Sequence, residues 1–113
     1  MYQHTMYQHT LYFGLNRRNG RPVTRQEFSG WLHRMVDPKV PGYTVSAGRG
    51  YWESVPEDSM ILTVLGEKSV VNTLRLVAEN YCEEFDQSSV LATSFPLERM
   101  EFVSAGAGLE KVA

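Results

Sequence analysis

Twice along this 113-residue chain the spacing of apolar residues changes from every second position to every third or fourth, and then back. A segment of period two buries one side only as a strand, and a segment of period near 3.6 only as a helix. Leu11, Phe13 and Leu15 share one face of an alternating segment, with Tyr12 and Gly14 on the other. A helical stripe follows at Phe28, Trp31, Leu32, Met35 and Val36. Its start is complete: Thr24 and Glu27 have the spacing of a reciprocal capping box, and Val23 and Phe28 that of a hydrophobic staple. Asp37-Pro38 ends it, because a residue before proline is pushed out of the α region. The second stripe runs Val70, Leu74, Val77, Ala78, Tyr81, Phe85 and ends near Asp86.

Between and after the helices lie three more strands. Tyr43–Ala47 alternates and continues through the glycine-punctuated Gly48–Glu53, where glycines mark a bulge or a close approach by backbone or ligand. Ser54–Asp58 is read as a loop, Met60–Leu65 as an apolar central strand, and Ser88–Phe95 as the fourth strand, stopped by Pro96. Leu97–Val103 is read as a short fifth strand or return segment. The order β-α-β, β-α-β predicts an α+β, ferredoxin-like domain: a four-stranded antiparallel sheet with two helices on one face. Tyr12, Tyr43 and Trp52 are assigned to the helix-free face, where a second copy could cover them.

Residues 1–10 are two copies of Met-Tyr-Gln-His-Thr, too short for a structural repeat. They are read as an extension whose first copy is frayed and whose second copy can lengthen the first strand. Residues 11–103 form the domain and residues 104–113, rich in glycine and alanine, a flexible tail.

A net charge of −2 supplies no basic face for nucleic acid or an anionic membrane. Arg17, Arg18 and Arg21 cluster around the Asn19-Gly20 turn and read as a solvated loop tip. Cys82, alone of its kind, excludes an intrachain disulfide and a thiolate metal site; it reads as a small buried hydrophobe on the second helix. His4 and His9 fall in the N-terminal segment and His33 on the solvent side of the first helix, with no metal-ligand spacing. No apolar run approaches the roughly 18 residues of a membrane span, and no secretory signal opens the chain. A cytoplasmic protein without metal or cofactor is expected.

The densest group of chemistry-bearing residues is Arg49-Gly-Tyr-Trp-Glu53 followed by Glu57 and Asp58. Aromatic rings beside carboxylates suit a cationic, ring-containing ligand, because rings stack and carboxylates balance positive charge. The same residues also fit a packed Tyr-Trp pair and a solvated acidic turn. A second group, Asp86-Gln87-Ser88-Ser89, either terminates the helix through backbone bonds or offers polar recognition beside a strand edge.

Leu11–Leu15, Thr24–Val36, Asp37-Pro38, Gly42–Val45, Gly50-Tyr51-Trp52, Glu57–Ser59, Tyr81, Phe85 and Gln87–Leu91 resemble a small bacterial family of unknown function. More distantly, Leu11-Tyr12, Gly50-Tyr51-Trp52 with Glu57, and Gln87–Leu91 resemble the phage-type S-adenosylmethionine lyases. That resemblance implies a ferredoxin-like trimer with sites between subunits. It also implies cleavage of S-adenosylmethionine to methylthioadenosine and homoserine lactone. Glu57 and Tyr51 are then the catalytic candidates, and Trp52, Asp58, Gln87, Ser88 and Ser89 would bind the adenosyl ligand. By glycine spacing Trp52 stands where that family has a tyrosine, and the acidic loop is shorter, so Asp58 rivals Glu57. An indole only donates its N–H, which keeps open a non-catalytic oligomer that binds a nucleotide-like molecule, or a protein-interaction domain.

Overall fold

The structure, a computed structural model, describes residues 5–106. Strand β1 spans Tyr7–Gly14, helix α1 Arg25–Trp31, β2 Thr44–Trp52, β3 Val55–Gly66, α2 Val70–Glu84 and β4 Leu91–Pro96. The sheet is antiparallel in the order β2-β3-β1-β4, which is the ferredoxin-like arrangement the periodicity predicts. β1 begins inside the second pentapeptide copy, so Tyr7–Thr10 pair with both neighbours. Residues 1–4 of the first copy and residues 107–113 of the tail lie outside the described residues. Leu97–Val103 forms no strand; Leu97 N–H donates to the carbonyl of Met6, just before β1, at 2.8 Å.

The start of α1 has the expected reciprocal cap: Thr24 Oγ1 accepts from Glu27 N–H and Glu27 Oε1 from Thr24 N–H, each at 3.0 Å. Such a cap is worth roughly 1 kcal/mol. After Trp31 the helix widens into a π-helical turn over Leu32–Val36, closed by Asp37 N–H donating to the Leu32 carbonyl. The wide turn keeps Trp31, Leu32 and Val36 facing the sheet. Phe13, Phe28, Trp31, Tyr81 and Phe85 pack edge-on or tilted, with Phe13 and Tyr81 centroids 4.6 Å apart and Trp31 and Tyr81 4.9 Å apart. The polar atoms in this cluster are satisfied. Trp31 Nε1–H donates to Asn80 Oδ1 at 2.8 Å, and Tyr81 O–H donates to the Gly14 carbonyl at 2.6 Å. Burial, foremost, pushes the Tyr81 phenol well above its ordinary range.

Two local expectations are corrected. Tyr43 does not lie on the helix-free face; it packs against the core, and its O–H donates to Asp37 Oδ1. Arg17 is not solvated: its side chain is 10% exposed, ion-paired to Glu27 at 2.8 Å and held over the Phe85 ring. Its neighbour Arg18 reaches Asp86 at 2.8 Å, so the loop before α1 is laced to the end of α2.

The Tyr43–Asp37 bond has a pH signature. The carboxylate, foremost through this bond, pushes the Tyr43 phenol from 10.0 to about 12. The same bond, with His33 behind it, draws Asp37 below its ordinary 3.8. A raised phenol contributes stability that is present below pH 10 and lost as pH climbs towards 12; a depressed carboxyl contributes stability lost as pH falls below about 4. The urea midpoints of wild type and Tyr43→Phe are therefore expected to differ by a constant amount between pH 5 and 9. They should converge at both extremes, and a gap independent of pH would dismiss this bond as the cause.

Candidate functional site

The β2–β3 connection is a two-residue hairpin, not a loop. Glu53 and Ser54 have φ of 49° and 67°, the left-handed pair of a type I′ turn. Val55–Asp58 therefore belong to β3, and every residue of the acidic stretch acquires a face. Register puts Trp52 opposite Val55, Gly50 opposite Glu57, Arg49 opposite Asp58 and Tyr51 opposite Pro56. Since side chains alternate along a strand, Trp52 and Glu57 share the helix-free face with Tyr12, while Tyr51 and Asp58 take the other. The tip lies beyond the core, and Tyr51 and Trp52 are 67% and 78% exposed.

A hollow of about 810 Å³ opens in the helix-free face. Its floor is low because Gly14 and Gly50 flank Glu57 and carry no side chains. Tyr12, Leu91 and Ser89 wall one side; Trp52, Val55 and Pro56 wall the other, and Tyr51 reaches the rim. The Glu57 carboxylate lies directly over Gly14: a Cβ built there would stand 2.5 Å from Oε2. Oε2 also accepts from the Asn16 N–H at 3.1 Å. One acidic group is thus fixed among aromatic and aliphatic surfaces, an arrangement complementary to a cation bearing an apolar ring.

The hollow gathers four residues of the expected site: Glu57, Tyr51, Trp52 and Ser89. Asp58 lies elsewhere, ion-paired to Arg49 at 3.1 Å on the opposite face. Gln87 is half-buried and ties the chain, outside the hollow's lining: Nε2 donates to the Asn16 carbonyl at 2.8 Å and to the Phe85 carbonyl at 3.3 Å. Ser88 is exposed and outside the hollow's lining. Tyr12, Gly14 and Asn16 complete the site without having been singled out for it; the available signal was a glycine on each of the two strands that flank β3. Cys82 is half-buried, with its thiol pushed up mainly by burial. Among the described residues no group of three or more His, Cys, Asp or Glu could hold a metal, and no helix is long and apolar enough to cross a membrane.

Residues 8–102 match DUF3574, a family described as proteins of unknown function. The chain belongs to this family. No curated protein matches the sequence. Among solved structures, this DUF3574 domain is similar to a phage SAM lyase in complex with S-methyl-5′-thioadenosine. The TM-score is 0.65 at 13% identity, covering 95% of each chain. It is also similar to a phage SAM lyase in the apo state, with a TM-score of 0.61 at 16% identity, covering 86% of this chain and 94% of the other. Identity at this level shows a shared fold.

Proposed function

We propose that this protein binds an adenosyl sulfonium compound in the Glu57 hollow and cleaves it as an S-adenosylmethionine lyase. The observation that carries this reading is the fixed Glu57 carboxylate, seated over Gly14 and flanked on its own face by Tyr12 and Trp52. Glu57 would hold the ligand's ammonium, and Trp52 and Tyr12 would stack on the base or face the sulfonium. The reaction asks little else. The substrate's own carboxylate attacks its γ-carbon, the C–S bond breaks with its electron pair going to sulfur, and methylthioadenosine leaves beside homoserine lactone. Holding carboxylate and γ-carbon in line is the main task, because an oriented intramolecular attack needs no further reactant. Trp52, Val55, Leu91 and Phe95 leave a wide apolar surface on this face, and a homo-oligomer, a trimer by analogy, would close the hollow with a second copy.

The test is incubation of the purified protein with S-adenosylmethionine, with methylthioadenosine followed by chromatography. Wild type is expected to release it and Glu57→Gln to lose roughly 100-fold or more in rate, the scale of removing a group that orients the reacting ends. Absence of both binding and turnover in wild type would sink this reading. One observation favours a second: the phenol nearest the lyase position, Tyr51, lies on the face away from Glu57, and an indole takes its place. Binding without turnover would select a non-catalytic, sequestering protein that uses the same hollow.

A further inference from the structure

We propose that Ser94 and His9 form a second chemical site, a serine nucleophile with its general base, directed at small esters with a short apolar acyl chain. His9 stands in the middle of β1 with 1% exposure, directly opposite Ser94 of β4. Its two ring nitrogens are both engaged: Nε2 lies 3.0 Å from the Glu67 carbonyl and Nδ1 2.7 Å from Ser94 Oγ. A backbone carbonyl only accepts, so Nε2 carries a proton, and in the neutral ring, the form a general base requires, Nδ1 presents its lone pair. Ser94 O–H must then be the donor. This is the arrangement in which a hydroxyl is activated: a base within reach of the proton, and a third group fixing the tautomer and steadying the imidazolium.

Ser94, unlike His9, is exposed. It lines a cavity of about 270 Å³ between α2 and the β1–β4 pair, together with Leu74, Ala78, Val90 and Ala92, a mainly apolar chamber, lined also by Arg75 and Glu79, sized for a small acyl group. Backbone geometry adds a donor. The Leu97–Met6 hydrogen bond and the register make Phe95–Gln8 and Thr93–Thr10 the hydrogen-bonded pairs of the antiparallel ladder. Ser94–His9 is therefore a non-hydrogen-bonded pair. Because β4 is an edge strand, the Ser94 N–H points away from the sheet, beside its own Oγ, where an oxyanion would form.

The step balances without a cofactor. Ser94 Oγ bonds to the ester carbonyl carbon while its proton passes to His9 Nδ1; the C–O bond to the alcohol breaks and the departing oxygen takes that proton. Water repeats the sequence on the acyl-serine, releasing the acid and restoring Ser94. The site lies on the helix-covered side of the sheet, opposite the Glu57 hollow, and its success or failure leaves the lyase reading untouched.

A fluorophosphonate probe with a short alkyl chain, read by peptide mass spectrometry, tests it. Wild type is expected to be labelled on Ser94 and to release p-nitrophenol from p-nitrophenyl acetate; Ser94→Ala, at an exposed position, should do neither. His9→Asn should slow labelling roughly 100-fold, the share of a general base. Should that variant unfold, Ser94→Cys in a Cys82→Ser background supplies the same information. Its thiol, beside His9, should alkylate with iodoacetamide roughly tenfold faster than Cys82 does in wild type. An unlabelled Ser94, labelling unchanged in Ser94→Ala, or a slow thiol at position 94 would each overturn the proposal and leave His9 as a structural residue.

Discussion

Trp31→Ala is expected to bring the domain close to unfolding, lowering its thermal midpoint by roughly 12–20 °C. Trp31 is fully buried and contacts Phe13, Phe28, Tyr81 and Phe85, with ring centroids 5.2, 5.6, 4.9 and 6.3 Å away. Truncating a buried tryptophan costs about 3–5 kcal/mol in transfer and cavity terms, against a total stability of about 5–15 kcal/mol for a domain of this size. Each kcal/mol shifts the midpoint of such a domain by roughly 4 °C. Relaxation offers little relief here. Tyr81 is pinned through its O–H to the Gly14 carbonyl, and Phe13 and Phe28 are set by β1 and the capped start of α1. Thermal denaturation followed by circular dichroism, with Leu76→Ala as an exposed control on α2, measures the difference. A Trp31→Ala midpoint no lower than that of the control would refute the assignment of this cluster as the stabilising core.

What the amino-acid order disclosed, and what it withheld, follows from how far apart the interacting residues are. The stripe from Phe28 to Val36 and the Thr24–Glu27 box are local, involving residues three to eight positions apart; the box is found as read, and the stripe packs on the core as read although its second half is π-helical rather than α-helical. The turn at Glu53-Ser54 carries neither the asparagine nor the glycine that announces a type I′ hairpin, so Ser54–Asp58 reads as a loop. Only the register shows that Glu57 faces Gly50 while Asp58 faces Arg49, which separates two carboxylates that spacing alone leaves as rivals. The site itself depends on Gly14, 43 residues before Glu57 in the chain, and on the end of β1 lying beside the start of β3. His9 sits in a duplicated pentapeptide that looks like an appendage. Its burial arises because β1 is central, with β3 and β4 on either side, and so extends through Tyr7–Thr10.

Gly14→Ala should disable the Glu57 hollow while leaving the fold nearly intact. The new Cβ would stand 2.5 Å from Glu57 Oε2, 2.9 Å from Cδ and 3.1 Å from Oε1, closer than carbon and carboxylate can approach. The clash is with the end of a flexible side chain, so Glu57 can swing away at little cost to stability. It does so by giving up the Asn16 N–H and its seat beside Tyr12 and Gly50. Calorimetry with S-adenosylmethionine is expected to show binding weakened roughly 10- to 100-fold, the worth of one charge-assisted bond of about 1.5–3 kcal/mol. The double variant Gly14→Ala/Glu57→Gln should be no weaker than either single one, because both changes remove the same contact. Gly50→Ala is the contrast for the seat of the carboxylate, since a Cβ there meets no protein atom within 4 Å and leaves Glu57 and its bond from the Asn16 N–H in place. A ligand-free readout separates this geometry from the choice of ligand: the Asn16 amide resonance should move in Gly14→Ala and in Glu57→Gln, and stay in place in Gly50→Ala. If the Asn16 amide does not respond to Gly14→Ala, Glu57 is not seated over Gly14, and the hollow lacks the fixed carboxylate on which ligand recognition depends.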